Sequence, residues 1–179
     1  MKKAIFLTAS FVFCGVLAFG QTNTSTVKQV AANKDSKVTV KQIGADNVSV
    51  VEQNAGEDHN ATVEQYTPSV SSGTGPILGG DQSSVLQKGG KENTVKVKQY
   101  DGVPLDHEHI GNNSEIMQLN GKLNNSKVEQ LGKNATSLIR QENNDRSKST
   151  VYQQGYGSTF SQIKQYNGKD NTADVYQHN

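Results

Sequence analysis

Tryptophan is absent from this 179-residue chain, and cysteine occurs once, as Cys14. There are three prolines, Pro68, Pro76 and Pro104, and of five phenylalanines only Phe160 lies beyond residue 20. Each shortage excludes something. One cysteine excludes an intrachain disulfide framework. A hydrophobic share of 32%, with aromatics at 6%, excludes a thick globular core. No charge of one sign dominates: 18 Lys and Arg stand against 17 Asp and Glu, a formal net charge of +1. A basic field for nucleic acid is therefore missing. Composition of this kind reads as disorder, unless a repeat lets many thin units share one core.

The apolar residues concentrate at the start. "MKK" is a basic opening, and "AIFLTASFVFCGVLAF" is an apolar run too short and wrongly flanked for a stable membrane span. Ala18 and Gly20 place small residues ahead of Gln21, so the expectation is a signal peptide over 1–20, cleaved after Gly20. Phe13 stands just before Cys14 where lipid attachment wants a small residue. The exported chain, 21–179, then has no cysteine and, without Lys2 and Lys3, a net charge of −1. It is expected to be secreted, with no stable membrane insertion.

What the chain does have is a repeat. Glutamines recur as Gln29, Gln42, Gln53, Gln65, Gln87, Gln99, Gln118, Gln130, Gln141, Gln153, Gln165 and Gln177, mostly 11 to 13 residues apart. Two residues before every one of them stands Val or Ile, from Val27 to Val175. Four before stands a small or β-branched residue. Six before, most are Asn, Ser, Thr, Asp or His. In "NTVKVKQ" (93–99), Asn93, Val95, Val97 and Gln99 share one face of an extended strand, and Thr94, Lys96 and Lys98 share the other. The four-before position is serine in every odd strand but varied in the even ones, so the unit is a strand pair of about 23 residues, repeated six times.

Between the strands lie "GADN" (44–47), "AGEDHN" (55–60), "GGKEN" (89–93), "NGKLNN" (120–125) and "NGKDN" (167–171), rich in residues that accept positive φ. Two longer insertions, 67–80 and 101–112, both follow an even strand and contain all three prolines. The fold class that follows is all-β: a two-sheet β-solenoid of six strand-turn-strand repeats with cross-β stacking, spanning 21–179. The inward glutamines are expected to chain their amides along the stack and to select register. Outward, Lys41, Glu64, Lys98, Glu129, Tyr152 and Tyr176 form one row, and Tyr66 and Tyr100 fall on adjacent rungs where they can stack.

The pattern Gln-x-Gly-x-x-Asn-x-x-x-Val-x-Gln in "QIGADNVSVVEQ" (42–53) varies as "QKGGKENTVKVKQ" (87–99), "QLGKNATSLIRQ" (130–141) and "QYNGKDNTADVYQ" (165–177). These resemble curlin repeats, the units of curli, the functional amyloid of bacterial biofilms. The resemblance covers 23–177. It implies export through outer-membrane secretion machinery, assembly outside the cell with itself and with a second curlin-like subunit, and a fimbrium-like fibre for biofilm matrix and adhesion. It marks the ladder glutamines, with Asn47, Asn93, Asn134 and Asn171, as the stacking residues. Only "QTNTS" (21–25) stands where the family carries a longer Gly- or Gln-rich segment. Independently of the family, no cap is visible at either end of the repeat, and uncapped ends of matching register add head to tail.

No catalytic constellation stands out, and no cofactor or metal is expected. "DHEHI" (106–110) offers imidazoles and carboxylates, but at no standard metal spacing. The alternative reading is a monomeric β-solenoid surface adhesin or glycan-binding module, with the insertions as recognition loops. A polysaccharide-cleaving β-helix would want clustered outward carboxylates, and an ice-binding face an unbroken threonine array that Lys96 and Lys127 interrupt.

Overall fold

The computed structural model describes residues 23–30, 35–44, 46–67, 80–100, 111–155 and 157–178. The expected leader, most of the two insertions and the "DHEHI" segment lie outside the described residues. Among the described residues twelve strands follow one another: β1 (Thr24–Val30), β2 (Lys37–Ile43), β3 (Val48–Asn54), β4 (Asn60–Tyr66), β5 (Gln82–Lys88), β6 (Thr94–Tyr100), β7 (Asn113–Leu119), β8 (Asn125–Gly132), β9 (Ala135–Glu142), β10 (Lys148–Gly155), β11 (Thr159–Tyr166) and β12 (Thr172–His178). Odd strands form one parallel six-stranded sheet in the order β1-β3-β5-β7-β9-β11, and even strands form the other. Each odd–even pair is one rung. The two-sheet β-solenoid read from the repeat is the observed fold.

Register is fixed by identity. Gln29 pairs with Gln53, Gln53 with Gln87 and Gln87 with Gln118 on the odd sheet. Gln42, Gln65, Gln99 and Gln130 do the same on the even sheet. A slip of one residue would turn the whole valine row to solvent. The core is a thin band of Val51, Ala61, Val63, Val85, Val95, Val97, Ile116, Val128, Ile139, Val151 and Ile163, closed at its ends by the half-buried Val38, Val40, Ala173 and Val175. Burying each such branched side chain contributes about 1.5–3 kcal/mol, and none of the rungs has enough of them to stand alone.

The insertions leave the stack undisturbed. Thr67 is buried, and its backbone N–H donates to the Ile43 carbonyl at 2.9 Å. Asp81 and Asn112, at the far ends of the two insertions, are also buried. The stack therefore takes in the edges of both.

Turns from odd to even strands repeat a backbone with two left-handed positions. The first holds Ala55, Gly89, Asn120, Asn143 and Asn167, and the second holds Asp35, Asp58, Glu92, Leu123, Arg146 and Asp170. These turns also pair along the stack, through bridges Glu57–Lys91–Lys122–Asp145–Lys169. Asn and Asp tolerate this conformation through local hydrogen bonds, whereas a γ-branched apolar residue does not. Leu123, at φ 54° and 47% exposed, is the poorest fit. Leu123→Asn is expected to raise stability by about 1 kcal/mol, read as an upward shift of the denaturant midpoint with an unchanged slope.

Candidate functional site: amide ladders and open end rungs

The inward glutamines sit at the last inward position of each strand, where the in-register sheet places successive side chains directly over one another. Their amides form two continuous chains. On the odd sheet, Gln29 Nε2 donates to Gln53 Oε1 at 2.8 Å, Gln53 to Gln87 at 2.9 Å, Gln87 to Gln118 at 3.1 Å, Gln118 to Gln141 at 3.0 Å and Gln141 to Gln165 at 2.8 Å. On the even sheet, the steps Gln42–Gln65, Gln65–Gln99, Gln99–Gln130, Gln130–Gln153 and Gln153–Gln177 measure 2.9, 3.0, 2.9, 3.0 and 2.7 Å. Every bond points the same way along the stack.

Each amide has a second hydrogen, and it crosses to the opposite sheet. Gln65 Nε2 donates to the Val48 carbonyl at 3.0 Å, Gln99 to Gln82 at 2.9 Å, Gln130 to Asn113 at 3.0 Å and Gln177 to Phe160 at 2.9 Å. Each glutamine on one sheet thus ties the start of a strand on the other. Burying an amide unpaired would cost about 1–3 kcal/mol, and here both its donors and its carbonyl are used.

A second set of rows runs six residues before the glutamines. There a side-chain oxygen accepts from the backbone N–H of the equivalent residue one rung on. Asn23 Oδ1 accepts from Asn47 N at 3.0 Å, Asn47 Oδ1 from Asp81 N at 3.0 Å, Asp81 Oδ1 from Asn112 N at 2.9 Å and Asn112 Oδ1 from Ala135 N at 3.1 Å. On the other edge, Asn93 Oδ1 accepts from Asn124 N and Asn124 Oδ1 from Ser147 N, both at 3.1 Å. Asn47 and Asn93 are in these rows. Asn134 is one residue out of step: Ala135 holds the row position, while Asn134 turns at φ 57° and its amide donates to Ser158 Oγ. Asn171 stands just before β12, at the row position six before Gln177, and its carbonyl accepts from Lys148 N at 2.7 Å.

The stacking asparagines marked by the resemblance leave out several residues that carry bonds in these rows and turns. Asp81, Asn112 and Asn124 carry row bonds as Asn47 does, and their six-before spacing is the signal that marks them. Asn144 is buried in a turn, accepting from Gly168 N and donating to the Gln165 carbonyl, both at 2.8 Å. In the serine rows, Ser126 Oγ and Ser149 Oγ donate to Gln141 and Gln165 Oε1 at 2.9 and 3.0 Å. The buried hydroxyls of Ser49, Ser83, Ser114, Ser137 and Ser161 have no hydrogen-bond partner among the described residues.

His59 takes the asparagine position on rung 2. It is fully buried, and neither ring nitrogen has a hydrogen-bond partner among the described residues. Burial lowers its pKa below 6.5, opposed in part by the charge of Asp58. The unfolded chain therefore binds this proton more readily than the folded one. The stability tied to a neutral His59 is complete above about pH 6.5 and declines as the pH falls from there through the lowered folded pKa. His59→Asn, which restores the row residue, is expected to flatten that part of a stability-versus-pH curve, measured by denaturant unfolding.

The outer faces are charged and paired. Glu129 lies between Lys98 and Lys127, at 3.3 and 3.1 Å. Burial pushes its carboxyl up, but the hydrogen bonds and charges of the two lysines outweigh this and hold it below the usual carboxylate range. Tyr66 and Tyr100 stack with ring centroids 4.9 Å apart. Among the described residues no cluster of three or more His, Cys, Asp or Glu side chains is placed to hold a metal ion.

Among the described residues, the two end rungs are the unfinished parts of this lattice. β1 is exposed at almost every position, and β12 leaves its inward Ala173, Val175 and Gln177 half-exposed. The amide chains end in carbonyl acceptors at Gln29 and Gln42 and in amide donors at Gln165 and Gln177. One end therefore carries the hydrogen-bonding complement of the other.

A family model described as the curlin associated repeat matches residues 34–66, which span β2, β3 and β4. No curated protein and no solved structure matches the chain.

Proposed function

We propose that this chain, built on the curlin repeat, is a secreted structural subunit that adds end to end into an extracellular curli-like amyloid fibre, and that the fibre serves biofilm matrix and adhesion. The observation that carries the reading is the complementarity of the two open ends. With β1 of a second copy laid on β11, and its β2 on β12, Gln165 faces the second copy's Gln29 and Gln177 its Gln42. Ile163 and Val175 meet Val27 and Val40, and Ser161 meets Ser25. Each row would continue unchanged, and Tyr176 would lie against Lys41, a cation–π pairing. A heterologous contact of this kind does not close, so it yields a filament. Its partners are copies of itself, a second curlin-like subunit, and the outer-membrane secretion machinery that exports it.

The glycan-binding alternative has less support. A sugar stacks on a free aromatic face, whereas Tyr66 and Tyr100 turn their facing surfaces on each other, with 10° between the ring planes.

The test is fibre formation by the chain without residues 1–20, diluted from denaturant and followed by dye fluorescence and fibre diffraction. Reflections near ~4.7 Å and ~10 Å, with growth accelerated by preformed seeds, are the expected result. A stable β-rich monomer that never elongates would overturn it.

A further inference from the structure

Tyr66 and Tyr100 pair across rungs 2 and 3 of the even sheet, at equivalent register positions. Their rings are nearly parallel, 10° apart with centroids at 4.9 Å, and they remain 37% and 42% exposed. Ile43 and Leu131 flank them in the same outward row. The other tyrosine pair differs: Tyr152 and Tyr176 lie at 6.3 Å and 38°, and the Tyr152 hydroxyl is engaged by Gln154 at 3.0 Å. Tyr166, on the other sheet, has Arg140 over its ring. Among the described residues, one pair of phenols is thus both face to face and open to solvent.

We propose that Tyr66 and Tyr100 form a site of oxidative modification, an intrachain dityrosine made by a haem peroxidase with hydrogen peroxide. Each phenol gives up one electron and its hydroxyl proton, leaving two phenoxyl radicals. Hydrogen peroxide takes up the two electrons and two protons and becomes two molecules of water. The radicals carry spin on the ring carbons beside the hydroxyl-bearing carbon, so a Cε of Tyr66 bonds to a Cε of Tyr100. The hydrogen on each coupled carbon then moves to its phenolic oxygen, restoring both aromatic rings. The product is the chain less two hydrogen atoms.

The stack supplies what this chemistry otherwise lacks, a second oxidisable phenol already within reach. The bond would join rung 2 to rung 3, linking the end of β4 to the end of β6. It closes a loop in the unfolded chain and so raises resistance to unfolding. It lies within one chain and is therefore expected whether or not copies stack into fibres.

The folded chain is treated with peroxidase and peroxide, then read by dityrosine fluorescence, denaturing gel and peptide mass spectrometry. The expected product runs at monomer mass, contains a linked Tyr66–Tyr100 peptide two hydrogens light, and unfolds at higher denaturant. Tyr66→Phe and Tyr100→Phe each keep a ring in the stack, checked by an unchanged β-sheet spectrum. Each should reduce the fluorescence to the level of the chain oxidised in denaturant. Persistent fluorescence in both variants, a product dominated by intermolecular dimers, or linkage chiefly between Tyr152 and Tyr176 would overturn the proposal.

Discussion

Gln118→Glu is expected to destabilise the folded chain by about 3–5 kcal/mol at neutral pH, the scale for an uncompensated buried charge. Gln118 is fully buried at the middle of the odd ladder. It accepts from Gln87 Nε2 and donates to Gln141 Oε1, the Thr94 carbonyl and Ser126 Oγ. A carboxylate can still accept from Gln87 but has no hydrogen for the other three, and it sets negative charge against the Gln141 carbonyl. Protonation changes this. A neutral carboxylic acid accepts through its carbonyl and donates its hydroxyl hydrogen to Gln141, recovering the ladder though not the cross-sheet bond to Thr94. The introduced carboxyl therefore has a folded pKa raised above the ordinary glutamate value of about 4.3. Its stability deficit is smallest below that value and grows as the pH rises through the folded pKa. Denaturant unfolding at several pH values reads both parts. A variant as stable as the parent at neutral pH would show that the amide chain contributes nothing to the stack.

Val175→Asp separates folding from assembly. Val175 faces inward on β12 but is half-exposed, because among the described residues no rung lies beyond it. A carboxylate there keeps access to water in the single chain, so the β-sheet spectrum should survive. At an end-to-end junction the same group would be sealed against Val40 of the next copy, with no cation on the inward face. An uncompensated charge of about 3–5 kcal/mol corresponds to a loss of a hundredfold or more in the affinity of one copy for the next. Seeded growth, followed by dye fluorescence, should fall accordingly. Thr172→Asp on the outward face of the same strand is the control and should elongate as the parent does. Equal growth of Val175→Asp and the parent would mean that filaments are not made by stacking these ends.

Residues differ in how far their roles could be read in advance. Val97 and Gln99 were legible because alternation assigns the face and recurrence assigns the row. The same reasoning found the Tyr66–Tyr100 neighbours and the Lys98–Glu129 pair, which are set by register alone. Asn134 sits in the turn after β8: positive φ values at Gly132 and Asn134 put Ala135 in the row position, and Asn134 meets the next rung through Ser158 instead. His59 stands six before Gln65, but the spacing did not show that its ring would be wholly buried and without a hydrogen-bond partner among the described residues. Chemically identical serines also diverge. Ser126 meets a glutamine arriving from the opposite sheet, whereas Ser114 has no hydrogen-bond partner among the described residues.

By itself, then, the sequence determined the one-dimensional content of this protein: twelve strands, their inward and outward residues, and the register that lays glutamine on glutamine. A repeat can specify those because each rung sees the same neighbours above and below. Only the tertiary structure decided what happens between the two sheets and at the turns, namely the common direction of the amide chains, the second hydrogen bond that crosses the core, the isolation of His59, and the angle at which two tyrosine rings meet. Those depend on side chains approaching from the other sheet or on a local sign of φ, and neither is written in the spacing of the repeat.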